Sequence, residues 1–428
     1  MKKGIYKNLI VLIFLILVGQ INGQTDGMKV HVIDIGQGSA TLLEFPCGVA
    51  LIDVGGEDNL LYKSEDEIKF YLYEFFNRRT DLNNTIDLLV VSHPHIDHTR
   101  ALINIFKDYK IKNVITNGQE KGSGKAGQKY VHEFIRQTER TEIEEDNIGY
   151  FESRNSRIPN TGFTNKIISP IKCSVLSPEI TLLWGRIDEN PNDWSTSAFD
   201  NQNNHSVVLK IKYGDSSILL TGDLEDEGIE KLLEKYGHTN ILDVDMYLVG
   251  HHGSYNGTTP EFLKKMTPEI AILSFGKPER EIPWTAWQYG HPRKSLIVSL
   301  ENAVTGFRSP KKVLVANKPK KFKEFEITKA VYGTGWDGDL VFETSSEGWL
   351  KEYDLKENLL IKNNNFVLFS KDFLNNEDSL QNLQKLKFSI IKDELDDRVS
   401  KFFYNKDSLP NIGPATMTRI RARLRGEN

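Results

Sequence analysis

The chain has 428 residues, of which 39% are hydrophobic and 26% charged, and carries a formal net charge of −5. That length accommodates one large domain with an appendage, or two domains. The slight negative charge excludes a global basic field of the kind that draws a protein onto nucleic acid, and two cysteines exclude a cysteine-based metal site.

In chain order, Lys2 and Lys3 precede an uncharged apolar run from Leu9 to Val18. A run of this length falls short of the about 20 residues that span a bilayer. It reads as a signal peptide over residues 1–23, with a retained anchor as the alternative. The mature chain is then expected to be secreted or periplasmic, with no stable membrane span. Val30–Asp34, Ala40–Phe45 and Val49–Asp53, around the turn Gly36-Gln37-Gly38-Ser39, read as antiparallel strands. Residues 66–79 read as a helix, Ile86–Val91 as a buried strand, and His98–Tyr109 as a second helix. The polar stretch 118–165 holds one helix near Tyr130–Arg140. Residues 184–204 form a long Asn-, Asp- and Trp-containing loop, either a plain insertion or a lid or substrate wall, since long loops inside domains are usually functional.

Strands are expected at Ser206–Ile211, Ser217–Leu220, Met246–Val249 and Ile270–Leu273. Helices are expected near Glu225–Tyr236 and Arg293–Ala303. Strands alternating with helices after an initial hairpin give a mixed sheet layered with helices, the α/β class. Cys47 and Cys173 could form one disulfide in an oxidising compartment, but both lie in strand-like runs and are expected to be buried free thiols.

The strand ending at Ser92 runs into His93-Pro94-His95-Ile96-Asp97-His98. Nitrogen and oxygen donors packed at the carboxyl end of a buried strand suit a divalent cation. Leu219-Leu220-Thr221-Gly222-Asp223 and Leu248-Val249-Gly250-His251-His252-Gly253-Ser254 repeat the pattern, and Tyr289-Gly290-His291-Pro292 adds another imidazole. Six of the ten histidines lie in these strings. Donors at the same end of several strands converge in a layered sheet. His31, His132 and His238 have no such company and read as strand or surface residues.

With Val32–Gly38 and Leu51–Gly55 ahead of them, these strings resemble the metallo-β-lactamase fold hydrolases, and among them the hydrolase domain of ComEC-type competence proteins. The resemblance covers about residues 28–345. It implies a four-layer αββα sandwich over residues 27–350 with a mainly helical extension, 351–428. It also implies two divalent metal ions, zinc first and manganese second. His93 and His95 would hold one metal, Asp97 and His98 the other, and Asp223 would bridge them. His251 or His252 would complete the second site, and Asp53 would orient ligands from beneath. Ser39 stands where that branch commonly has Asp, and Thr99-Arg100 replaces small residues. The remaining histidine ligand of the fold has no clear match; His205 and Asn204 are candidates.

Such a centre activates water for attack on phosphorus or a carbonyl, with Asp97 and Asp223 orienting the nucleophile and His291 protonating the leaving group. Residues 406–425 resemble a helix-hairpin-helix turn, in which Gly413, Arg419 and Arg421 would contact DNA; the alternative is an amphipathic helix packed on the domain. The expected function is a secreted phosphodiesterase or nuclease acting on DNA or a small phosphodiester. The alternatives are a phosphorylcholine esterase or lactonase, and a binding protein with a dead site. Oligomeric state is not readable from the sequence.

Overall fold

Alternate residues of the inner strands face two different cores. In the strand Gly48–Gly55, Ala50 and Ile52 join one apolar cluster, while Val49 and Leu51 join another. In the strand Leu88–Val91, Leu88 and Val90 divide from Leu89 and Val91 in the same way. A strand buried on both faces must lie inside a stack, with helices on one side and a second sheet on the other. The computed structural model describes residues 27–140, 149–152, 166–344 and 350–352. The expected signal peptide at 1–23 and the tail residues Gly413, Arg419 and Arg421 lie outside the described residues.

The first sheet has eight strands in the order Leu350–Glu352, Leu340–Thr344, Lys29–Val32, Ser39–Phe45, Gly48–Gly55, Leu88–Val91, Asn113–Thr116 and Gly149–Glu152. The second has seven: Val331–Gly333, Ile270–Leu273, Met246–Leu248, Ser216–Leu220, Val208–Tyr213, Glu179–Trp184 and Lys166–Ile168. The larger core lies between them. Val30, Val32, Leu43 and Phe45 from the first sheet meet Leu182, Leu209, Ile211 and Ile218 from the second. On the outer face of the first sheet, the helix Ser64–Arg78 buries Ile68, Leu72, Phe75 and Phe76. Helices Asp226–Tyr236, Pro260–Met266 and Lys294–Ala303 bury apolar faces in the core that includes the second sheet. The order helix, sheet, sheet, helix is the expected αββα sandwich.

The differences from the sequence reading are local. The helix expected from Tyr130 starts at Lys125. The stretch 184–204 is not structureless: it holds the helix Thr196–Asp200, capped by the Ser195 hydroxyl on the Ala198 N–H (3.1 Å), and the tight turn Gln202–His205. The free-thiol expectation is overturned, because Cys47 and Cys173 form a disulfide across 126 residues of sequence. Strand-like surroundings hid this: Cys47 sits in the turn between Ser39–Phe45 and Gly48–Gly55, and Cys173 lies ahead of Glu179–Trp184. Finally, Phe307–Lys318 and Lys321–Lys329 form a two-stranded sheet of their own that the sequence reading did not separate out.

A buried ion network braces the first sheet. Glu44, fully buried, accepts from Arg79 Nη1 at 2.7 Å, from Arg78 Nη2 at 3.0 Å and from His31 Nε2 at 3.1 Å. Burial pushes the Glu44 carboxyl up, but His31 and Arg78 outweigh it and hold the group well below the usual range. Glu44→Ala is therefore expected to cost about 1.5–3 kcal/mol, because it removes a buried charged acceptor while Arg79 keeps Asp81 and the Phe45 and Pro46 carbonyls, read as a lower urea midpoint at unchanged slope. A carboxyl depressed in the folded state contributes fully above its unfolded pKa of about 4.3 and loses that contribution as pH falls through the folded value. The stability gap between wild type and variant should be widest above about pH 5 and close on acidification.

Candidate metal centre

Register brings the donor strings together. Leu220 pairs with Leu248 in parallel, so Asp223 and His251-His252 leave the second sheet at the same edge. Ile52 pairs with Val90 in parallel, so Asp53 and Ser92-His93 leave the first sheet together. Asp97 and His98 follow on the short helix Ile96–Thr99.

One donor atom from each of Asp97, His98, Asp223 and His252 lies within 4.8 Å of the other three. Asp223 Oδ1 is 3.1 Å from His98 Nε2, and its Oδ2 is 3.3 Å from His252 Nε2. Asp97 Oδ2 is 3.4 Å from His252 Nε2. Hydrogen bonds assign the tautomers. His98 Nδ1 donates to Asp53 Oδ2 at 2.7 Å, and His252 Nδ1 donates to the Ser274 carbonyl at 2.9 Å. Both Nε2 atoms are then bare lone pairs, 3.2 Å apart, facing two carboxylates. Only a cation satisfies that donor set, and outer partners that fix ring orientation are what metal-binding histidines use. In metal-free protein protons do the same work. Burial would depress His252, but Asp223 and Asp97 outweigh it and push it up to about 10. Burial likewise opposes the charge on His98, and Asp223 and Asp53 raise it well above its ordinary range.

Asp53 is the anchor beneath. Its Oδ1 accepts from the Ser92 N–H at 2.8 Å, and its Oδ2 accepts from the Ser92 hydroxyl at 2.7 Å. That same hydroxyl is 3.1 Å from His93 Nδ1. The backbone is forced here. Asp53, His251 and His252 have φ of 55°, 51° and 52°. Consecutive non-glycine residues in the left-handed region store about 1–3 kcal/mol each and cluster at functional sites.

His93 and His95 stand on the other flank of Asp223. His93 Nε2 is 3.0 Å from His95 Nδ1 and 3.9 Å from Asp223 Oδ2. The two neighbouring histidines part company: His252 faces Asp97 and His98, whereas His251 Nε2 is 4.0 Å from Asp223 Oδ2 and its Nδ1 is 3.5 Å from Glu225. His205 has no lone pair to offer. Its Nδ1 accepts from the Ile187 N–H at 3.2 Å, and its Nε2 donates to the Phe199 carbonyl at 2.7 Å. Asn204 is tied to the Ala198 carbonyl and to Glu227. Each flank of Asp223 therefore carries two imidazoles, and the flank with His98 and His252 adds the Asp97 carboxylate. Gln202, from the 184–204 stretch, reaches His95 Nε2 at 3.3 Å, so that stretch walls the flank with His93 and His95.

His291 is buried, with its ring stacked 6.4 Å from His252. Gln37 Nε2 donates to its Nδ1 at 3.1 Å. The sequence reading assigns Gln37 no role beyond its place in the turn Gly36-Gln37-Gly38, and the contact with His291 adds it to the site. Thr99 and Arg100, the departure from the family pattern, point to the scaffold. The Thr99 hydroxyl donates to the His95 carbonyl at 2.9 Å, and Arg100 Nε donates to the Gly56 carbonyl at 2.9 Å.

The chain is similar to known proteins. The model of the metallo-beta-lactamase superfamily matches residues 33–277, more than half of the chain. ComE operon protein 3 of Bacillus subtilis (strain 168) is 28% identical over 284 residues, 64% of this chain and 30% of that protein. Competence protein ComA of Neisseria gonorrhoeae is 39% identical over 74 residues, 17% of this chain and 10% of that protein. The chain thus spans at most about a third of the length of these curated relatives. Among solved structures, the metallo-beta-lactamase fold protein YhfI from Bacillus subtilis covers 74% of this chain and all of its own, at 12% identity and a TM-score of 0.37. With the donor strings converging at one edge of two facing sheets, the chain belongs to the metallo-beta-lactamase superfamily, and its similarities lie with the ComEC-type competence proteins.

Proposed function

We propose that the protein is a metal-dependent hydrolase that cleaves phosphodiesters, DNA among them, outside the cytoplasm. The observation that carries this reading is the group of half-buried Asp97 with buried His98, Asp223 and His252, with His93 and His95 on the other flank of Asp223. When bound there, divalent cations supply the Lewis acidity that activates water and polarises a phosphoryl oxygen. His93 and His95 would hold one; Asp97, His98 and His252 would hold the other, with Asp223 between them.

The chain's own residues do the rest. Asp97 and Asp223 accept hydrogen bonds from the attacking water and fix its direction. The Gln37 contact leaves the His291 proton on Nε2. Burial, with His251 and His252 beside it, holds His291 well below the ordinary histidine range, so its neutral Nε2–H gives a leaving oxygen a hydrogen bond, in place of the proton transfer expected from the sequence. Similarity to competence proteins supports the choice of phosphodiester, and the Cys47–Cys173 disulfide supports an oxidising compartment.

Purified protein should contain close to two divalent ions. Chelation should remove its hydrolysis of bis-p-nitrophenyl phosphate, and zinc or manganese should restore it. Full activity in a metal-free preparation overturns the mechanism. Cleavage of a lactone by a protein silent on phosphodiesters and on DNA overturns the substrate.

A further inference from the structure

From Phe307 to Lys329 the chain carries eight basic residues and two acidic ones, against a net charge of −5 for the whole. This is the hairpin of Phe307–Lys318 and Lys321–Lys329. Its charge is neutralised at one end only. Arg308 and Lys311 pair with Asp337 at 2.9 and 2.7 Å. At the turn, Lys318, Lys320, Lys321 and Lys323 are exposed, and none of them forms an ion pair among the described residues.

That turn is fixed beside the metal centre. The Lys320 N–H donates to the Trp287 carbonyl at 2.8 Å, and the Ala316 N–H donates to the Pro292 carbonyl at 2.8 Å. Gly290, at φ +72°, lets the turn come close: a Cβ there would sit 2.8 Å from Pro319 N. The segment so clasped contains His291. Aromatic faces stand among the cations. Lys320 Nζ lies 5.2 Å from the Trp287 ring centre, and Trp284 is 67% exposed. Tyr255, just after the His251–Ser254 string, is 63% exposed with the Arg293 guanidinium 5.7 Å from its ring.

Lysines spaced along a ridge engage a phosphate backbone, and open aromatic faces stack on bases, which only an unpaired strand presents. An anionic membrane would also meet the lysines, but a membrane-seated tip carries apolar residues at its end, and this one ends in Lys318-Pro319-Lys320-Lys321. We propose that the tip of this hairpin, with Trp284 and Trp287 beside it, binds single-stranded nucleic acid and leads the strand to the metal centre. Only the last clause rests on the phosphodiester reading; the binding surface does not.

The test joins Lys318→Glu, Lys320→Glu, Lys321→Glu and Lys323→Glu in one variant. Binding of a phosphorothioate oligothymidylate is followed by fluorescence anisotropy across a salt series. Affinity should fall at least about tenfold, and the slope of log affinity against log salt should flatten by about 3, since each single-strand phosphate contact contributes about 0.7. Trp284→Ala should separately weaken binding about fivefold or more. Hydrolysis of bis-p-nitrophenyl phosphate should be unchanged in the lysine variant. Unchanged affinity and slope overturn the proposal. So does a parallel loss of small-ester hydrolysis, or a loss confined to phosphatidylserine vesicles. A wild type that binds the oligonucleotide with the expected slope but hydrolyses no ester keeps the surface and removes the phosphodiester reading.

Discussion

Asp223→Asn is expected to leave a folded protein that neither retains its metals nor hydrolyses a phosphodiester. The Asp223 carboxylate reaches both flanks of the centre: its oxygens lie 3.1 Å from His98, 3.3 Å from His252, 3.9 Å from His93 and 4.0 Å from His251. An amide of the same shape removes a full negative charge and replaces one acceptor with a donor. The carboxylate is held in its charged form despite burial, which opposes it, because His252, His98 and His251 surround it. Loss of an outer partner of a metal ligand typically weakens metal binding by about 10–100-fold; a shared ligand should exceed that. We expect kcat/KM on bis-p-nitrophenyl phosphate to fall by more than about 100-fold, with metal content dropping in parallel. The backbone should hold, since the Asp223 N–H still donates to the Ser206 hydroxyl. Wild-type turnover at full metal content in this variant would remove Asp223 from the centre.

The donor strings were legible because strands buried on both faces are nearly unbroken apolar runs, so a histidine or aspartate at their ends stands out. Asp97, His98 and Asp223 stand out in this way, and the fold brings their donor atoms together. His251 and His252 did need coordinates: adjacent residues of one type differ only in direction, and direction here follows from two successive left-handed residues that no periodicity reports. His205 misled for a related reason. Its position beside a strand suits a ligand, but its two ring nitrogens are taken up by Ile187 and Phe199, both distant in pattern from any motif. Gln37 was invisible as a functional residue because its partner, His291, lies 254 residues away. The basic hairpin was missed because whole-chain charge averages it out. Its lysines are balanced elsewhere in sequence, not in space.

Removing the Cys47–Cys173 bond, by Cys47→Ser with Cys173→Ser, should lower the unfolding free energy by about 2–5 kcal/mol. The bond closes a span of 126 residues, and in the chain-entropy picture a loop of that size restricts the unfolded state by about 5 kcal/mol. It also ties the first sheet, through the turn after Phe45, to the segment that enters the second sheet at Glu179, and both cysteines pack against the core between the sheets. The turn that carries Cys47 lies at the end of its strands opposite Asp53 and Ser92. The centre should therefore keep its geometry, and hydrolysis at 25 °C should survive while the urea midpoint falls. Dithiothreitol should lower the wild-type midpoint to that of the double variant and leave the variant unmoved. Equal midpoints for oxidised wild type and variant would mean the sheets are held by packing alone, and the crosslink would then give no stability that a reducing compartment could withdraw.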